Sequence, residues 1–342
     1  MNRTTLYSVH QALNAKFISF SNFEMPVWYH SIKMEHEAVR KKTGVFDISH
    51  MGLYRISGQN SAEFLSYLSC NAIPSQPKSV YSMFLNKNGG ILDDVMISWY
   101  QDGFYMVVNA CNHQKIELWL NQHRMPDVTI TSLNKTHNFI ALQGPDVVNL
   151  MASLFEIDPS LKTMSVTDLV WKGHSLILFK SGYTGEYGFE CLVPQEASEM
   201  LWKLLIEHGV TPCGLGCRDT LRIEAGLPLY GQELSEDITP LMTRYDWVVK
   251  WNHDFIGKEA LKAFTKTQTT VGLIMQDRAI PRTGCKILQG GYITSGTLSF
   301  LLNHPIAMAI VPLSVSKIGT LLDVEIRGVS YPAKVVSLPF LI

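Results

Sequence analysis

No stretch of this sequence is apolar for long enough to cross a bilayer as a helix, which takes about 20 residues. The run IAMAIVPL (306–313) is far too short. The opening stretch MNRTTLYSVHQALNAKFISF has no continuous apolar segment and no small-residue cleavage site, so no secretory leader is expected. An excess of one charge is missing too. The 29 Lys+Arg and 30 Asp+Glu leave a formal net charge of −1. That removes any general electrostatic reason to bind nucleic acid or an anionic membrane and leaves only local basic patches. Cysteine is sparse, with six residues scattered through 342. Such scatter suits free thiols in a reducing compartment, and a cytoplasmic setting is expected. Cys213 and Cys217 lie close, but a lone CxxxC without a second pair does not make a zinc site. No Cys/His or Ser/His/Asp grouping argues for covalent catalysis, and no ligand spacing argues for a metal.

What is present is an ordinary globular composition, 46% hydrophobic and 17% charged, in a chain long enough for two or three domains. Composition and periodicity predict helices over 33–42 (ending at Gly44 as C-cap), 61–70 (with Ser61 as N-cap), 113–123, 146–154, 196–208 and 254–268. Strands are predicted at 45–58, 79–86, 103–110, 167–180 and 187–193. The long Val/Ile runs of a parallel sheet are absent, which favours an α+β fold. From about residue 270 short strands alternate with turn residues and no helix intervenes, so a small closed or nearly closed β unit is expected there.

Four stretches carry chemistry. In NKNGGILDDVMIS (86–98) a Gly-Gly hairpin leads into a strand with two adjacent carboxylates. Successive strand side chains point to opposite faces, so Asp93 and Asp94 cannot share one, and at least one faces something half-buried. In SGYTGEYGFEC (181–191) the glycines do not form a dinucleotide fingerprint, and a hairpin is the better reading. Glu190 sits there in an apolar strand, where a carboxylate needs an arginine or a ligand donor. In CGLGCRDTLRIEAGLPLYG (213–231), Asp219 reads as the N-cap of a short helix, with Arg218 before it and Arg222 within it. Either arginine could pair at the surface with Asp219 or Glu224, or meet a carboxylate bidentately. In GVFDISHMG (44–52), His50 reads as a hydrogen-bonded structural residue.

Taken in order, these stretches resemble the glycine cleavage system T-protein (aminomethyltransferase) family, together with FSNFEMPVWY (20–29), LQGP (142–145), DFIGKEAL (254–261) and ITSGT (293–297). The similarity spans nearly the whole chain. It departs from the family pattern at Phe23, Ser98, Arg244 and Tyr245, and lacks the short tail that often follows LPFLI. The resemblance implies a multi-domain folate-binding fold with a small C-terminal β-barrel. The folate-binding catalytic region would span 1–265, interleaved as about 1–50 with 138–240 and as 51–137, and the barrel 266–342.

It also implies an activity: transfer of the one-carbon unit of an aminomethyl group, carried on the lipoyl arm of H-protein, to tetrahydrofolate. Ammonia leaves and 5,10-methylenetetrahydrofolate forms. In the family's motifs, Asp94 matches the catalytic carboxylate and Asp93 falls to a structural role. Glu190 matches the residue that meets the pterin ring. Tyr81, Asn109 and Arg218 match further folate-site positions. Two alternative readings stand beside this activity: another tetrahydrofolate-dependent demethylase acting on a methylated amine or sulfur compound, or a folate-binding repair or tRNA-modification relative. The latter normally carries a Lys-Gly-Cys start that LPLYGQEL (227–234) lacks. For a lipoyl carrier, RYDWVVKW (244–251) is a candidate basic and aromatic docking segment, against the reading of an ordinary strand.

Overall fold

The computed structural model describes residues 1–341. The chain forms two compact units that interleave along the sequence: Met1–Ser66, Ala72–Ser82 and Val95–Arg218 in the first, and Tyr67–Asn71, Met83–Asp94 and the described residues from Asp219 onward in the second. Helices and mainly antiparallel sheets make it an α+β protein, as the alternating pattern predicts. Among the described residues no helix is long and apolar enough to cross a membrane.

The first unit contains a six-stranded sheet in the order Val166–Trp171, His174–Phe179, Gly188–Pro194, His137–Gln143, Gly44–Asp47, Thr211–Pro212. The pleat sends Phe189, Cys191 and Val193 into one core. Ile140 and Leu142 join them from the neighbouring strand, and Trp202, Leu201 and Leu205 cover them from the helix Gln195–Glu207. Period two then leaves Glu190 on the opposite face of its strand. A five-stranded sheet runs in the order Lys78–Leu85, Ile91–Tyr100, Gly103–Val108, Gly52–Ser57, Thr129–Ser132. Its hairpin turn is built as the sequence suggests. The Asn86 side-chain oxygen accepts from the backbone N–H groups of Asn88 and Gly90, at 2.9 and 3.0 Å, and Gly89 takes φ +83°.

The second unit carries the expected β-barrel. Its strands follow the order Tyr292–Ser299, His304–Pro312, Gln268–Met275, Val329–Val336, Leu321–Ile326. Lys286 bridges to Tyr292 and Ile287 to Val324, so this segment joins the two outer strands and closes the sheet on itself. Leu273, Ile293, Ala309, Val324 and Val335 fill the interior.

Several local expectations need correction. Helix Ile32–Lys41 is N-capped by Ser31 and stops at Lys42, while Gly44 begins a strand. A Cβ on Gly44 would stand 2.6 Å from Val39, so close packing rather than capping requires glycine there. Residues 45–58 divide into Gly44–Asp47 and Gly52–Ser57, on different sheets, with a tight turn between them. The helix at 61 does begin with Ser61, whose hydroxyl donates to the Gly58 carbonyl instead of capping. The helix expected over 254–268 shrinks to Lys258–Ala263, entered through Gly257 at φ +89°. Residues 244–251 are not a strand but contain the short 3-10 turn Asp246–Val248.

Candidate folate site

The site is best read from the loop between strands His174–Phe179 and Gly188–Pro194. These strands pair antiparallel, so the hairpin reading of the glycine-rich stretch holds. Its glycines have separate causes. Gly185 takes φ +83°, a conformation costly for a residue with a Cβ. Gly182 and Gly188 are glycine because the buried Gln143 side chain occupies the space a Cβ would need. Arg40 fixes the loop from outside, donating to the Thr184 carbonyl at 2.7 Å and to Glu186 at 2.9 Å.

Held in this way, the loop completes the setting of Glu190. The Ser181 hydroxyl donates to Glu190 Oε2 at 2.5 Å. Burial raises the pKa of the Glu190 carboxyl, opposed by the Ser181 hydrogen bond and the Arg218 charge. The guanidinium of Arg218 lies 4.8 Å from the centre of the Tyr183 ring and 5.9 Å from that of Phe46, both within cation–π range. Burial pushes Arg218 below its usual range, with Glu190 as the main opposing influence. Its Nη1 is buried with no hydrogen-bond partner in the protein. A donor left open beside a half-open carboxylate is what a ligand with both acceptors and N–H groups requires.

Of the residues singled out in the sequence, Glu190 and Arg218 therefore come together. Tyr81 and Asn109 belong to the same unit. Tyr81 is half-buried on strand Lys78–Leu85, and Asn109 follows strand Gly103–Val108 at the start of the turn leading to helix His113–Gln122. Asp94 belongs to the second unit, on strand Ile91–Tyr100. The parity argument holds: Asp93 is 0% exposed and Asp94 is only partly buried. The charge of Asp94 contributes to raising the Tyr245 hydroxyl, an effect led by burial.

Other expectations change. Arg218 is not before the short helix but in it, because the helix Leu215–Glu224 starts ahead of Asp219. Asp219 is therefore no N-cap; it accepts from Arg222 Nε at 2.9 Å. Arg222 does pair with Asp219, but its side chain is buried, and Nη1 also reaches Glu233 at 2.9 Å. Nη2 of Arg222 donates to Ser295 at 2.7 Å. His50 is buried as expected, yet its Nδ1 has no partner. Phe20 and Phe23 meet the His50 ring edge-on, and burial lowers its pKa to about 4, so it is neutral at ordinary pH. Arg244 and Tyr245 both donate to the Gly226 carbonyl, so Arg244 is not a freely presented docking charge.

Sequence reasoning missed Ser181, Tyr183 and Gln143, although the Gly182/Gly188 spacing is a trace of the last. It also missed a buried network. Asp47 accepts from Thr4 at 2.6 Å and from Ser49 N at 2.9 Å, and lies 3.0 Å from His10 Nε2, while His10 Nδ1 meets the Tyr29 hydroxyl at 2.9 Å. The pKa of Asp47 falls to about 2: burial opposes the shift, and His10, Ser49 and Thr4 outweigh it. Among the described residues no cluster of His, Cys, Asp or Glu is arranged to hold a metal.

Two family models match the chain, the GCVT N-terminal domain over residues 6–253 and the glycine cleavage T-protein C-terminal barrel domain over 268–341. The chain belongs to the glycine cleavage T-protein family. An aminomethyltransferase of Picosynechococcus sp. is 40% identical over 357 residues, covering 99% of this chain and 98% of the relative. An aminomethyltransferase of Geobacillus sp. is 40% identical over 358 residues with the same coverage. The crystal structure of glycine cleavage system aminomethyltransferase T from Bartonella henselae superposes with a TM-score of 0.92 at 32% identity, over 99% of this chain and 98% of that one.

Proposed function

We propose that this enzyme is an aminomethyltransferase of glycine cleavage. It takes the aminomethyl group from the lipoyl arm of H-protein, releases ammonia and passes the carbon to tetrahydrofolate, forming 5,10-methylenetetrahydrofolate. One observation carries the folate half of this reading: the Glu190 carboxylate, bound by Ser181, lies in the field of an Arg218 whose Nη1 has no protein partner. The pterin ring presents adjacent N–H donors, which two carboxylate oxygens can accept together, and ring acceptors, which a guanidinium can meet. The residues therefore fit the group.

When bound, tetrahydrofolate supplies the two nitrogens, N5 and N10, that take up the carbon. The chain does the rest. Glu190 and Arg218 hold and orient the ring, with Tyr81 stacking and Asn109 hydrogen-bonding as the family's motif assigns them. Asp94 supplies a carboxylate that stabilises developing positive charge and accepts or relays a proton. Asp93, fully buried, serves the strand. We place the enzyme in the cytoplasm, where its six thiols stay free. We assign residues 1–265 to the folate-binding region and 266–342 to the barrel domain. Docking of the carrier then relies chiefly on the exposed Trp247 and Trp251 with Lys250, whose ammonium also donates to the Trp247 carbonyl at 2.8 Å.

The test is formation of methylenetetrahydrofolate from aminomethylated H-protein and tetrahydrofolate, run beside free methylated amines. Product from H-protein alone supports the reading. Turnover of free amines without the carrier would make the enzyme a demethylase instead.

A further inference from the structure

The loop that carries Ser181 and Tyr183 is fastened by one side chain. Gln143 ends strand His137–Gln143 and is fully buried. A Cβ on Gly182 would stand 1.9 Å from its Oε1, and one on Gly188 2.1 Å from its Nε2. The two glycines therefore clasp the amide between them. Both ends of that amide are used: Oε1 accepts from the Thr184 hydroxyl at 2.9 Å, and Nε2 donates to the Ser181 carbonyl at 3.2 Å. A flipped amide would set its oxygen against the Ser181 carbonyl, so one orientation is enforced. Ser181, gripped by its backbone, turns its hydroxyl to Glu190 Oε2 at 2.5 Å, a length typical of a hydroxyl bound to a carboxylate.

We infer that Gln143 is a positioning residue for folate binding: through Ser181 it sets the orientation of Glu190, and the glycines at 182 and 188 exist to admit it. The inference rests on the reading of Glu190 as the pterin acceptor. Gln143 touches no reacting atom, and its influence on tetrahydrofolate runs through two hydrogen bonds. The groups that bear on the Glu190 charge are Ser181 from the loop and Arg218 from the helix. Removing the Ser181 donor leaves burial less opposed, so the carboxyl then takes up its proton at higher pH.

The experiment measures tetrahydrofolate binding by calorimetry across pH 5.5–8, with kcat at saturating folate, for Ser181→Ala, Ser181→Thr, Gln143→Met and the Gln143→Met/Ser181→Ala pair. Ser181→Ala and Gln143→Met should each weaken binding about tenfold, the loss of one charge-assisted bond, with kcat changed less than about twofold. The pH below which binding fades should rise in both. Ser181→Thr should restore affinity, and the double variant should bind no worse than the weaker single. Thr184→Val, which frees one end of the Gln143 amide, gives the same readout if Gln143→Met does not fold. Native affinity and an unmoved pH profile in Gln143→Met or Thr184→Val would overturn the inference, as would fully additive losses. Failure of the unaltered enzyme to bind tetrahydrofolate would instead remove the reading beneath it.

Discussion

Two arginines one turn apart on the helix Leu215–Glu224 have opposite surroundings. Arg222 is closed in: Nε on Asp219, Nη1 on Glu233 and the Leu227 carbonyl, Nη2 on Ser295. Arg218 rests on two aromatic faces, and its Nη1 stays without a protein partner. A guanidinium whose donors are met by its own chain holds structure. One left partly unmet at a fixed position is set for something that arrives later, and its desolvation is a standing cost to the fold. The sequence offers little to separate the two, since both follow the same glycine turn and both could pair at the surface.

The largest effect expected from this contrast is on stability. Arg222→Met leaves Glu233 buried without its cation and should cost about 3–5 kcal/mol in denaturant unfolding. Arg222→Met with Glu233→Leu should recover much of that. An unchanged unfolding midpoint in the single variant would show that the pair is not a clamp. Next comes Asp94→Asn, which keeps shape and removes charge, and should lower turnover about a hundredfold or more. Asp93→Asn, at the fully buried neighbour, should act on unfolding first. Near-native rates in Asp94→Asn with normal folate binding would remove the catalytic assignment.

On the open side of the comparison, Arg218→Met should leave stability equal or slightly higher while weakening tetrahydrofolate binding by about 1.5–3 kcal/mol. Glu190→Gln should cost a similar amount, because an amide accepts through one atom and turns an N–H toward the ring's own donors. Calorimetry with unchanged affinity in both would close the folate reading of this pair.

The smallest effect concerns His50, another buried polar group whose Nδ1 has no partner. Its folded pKa of about 4 lies below the ordinary imidazole value near 6.5. The unfolded chain therefore binds the extra proton first. This contribution is complete above pH 6.5 and is lost as pH falls toward 4. His50→Phe should flatten stability across that window. Asp47, at about 2, should govern a separate loss between pH 3.8 and 2, because its folded value lies below the unfolded one. A slope between pH 6.5 and 4 that survives in His50→Phe would assign the effect to another group.

What could be read from sequence follows from how local the signal is. The double-Asp strand and its parity were legible because period two is a property of adjacent residues. The barrel was legible from its run of short strands, although its closure through Lys286 and Ile287 leaves no local mark. The helix containing Arg218 was misplaced because Asp219, a good capping residue by type, is recruited as a partner for Arg222 instead. Ser181 was invisible as a site residue, since its role depends on Glu190 across a hairpin. Gln143 was hidden for the same reason, being remote in sequence from the glycines it fills. The Thr4–Asp47–His10–Tyr29 network joins residues too far apart for any spacing rule.

The closure of the C-terminal sheet has a consequence for the protein's life at high concentration. An open five-stranded sheet would expose two rows of unpaired N–H and C=O groups, each a template for a strand from another molecule. Here Leu288 N and Glu325 N bond across the seam to Asp323 and Lys286, at 2.9 Å each. The Leu321–Ile326 edge is thereby occupied by the chain's own segment. Shortening or loosening residues 285–288 should therefore show itself first as self-association, visible by light scattering while the folate chemistry still runs.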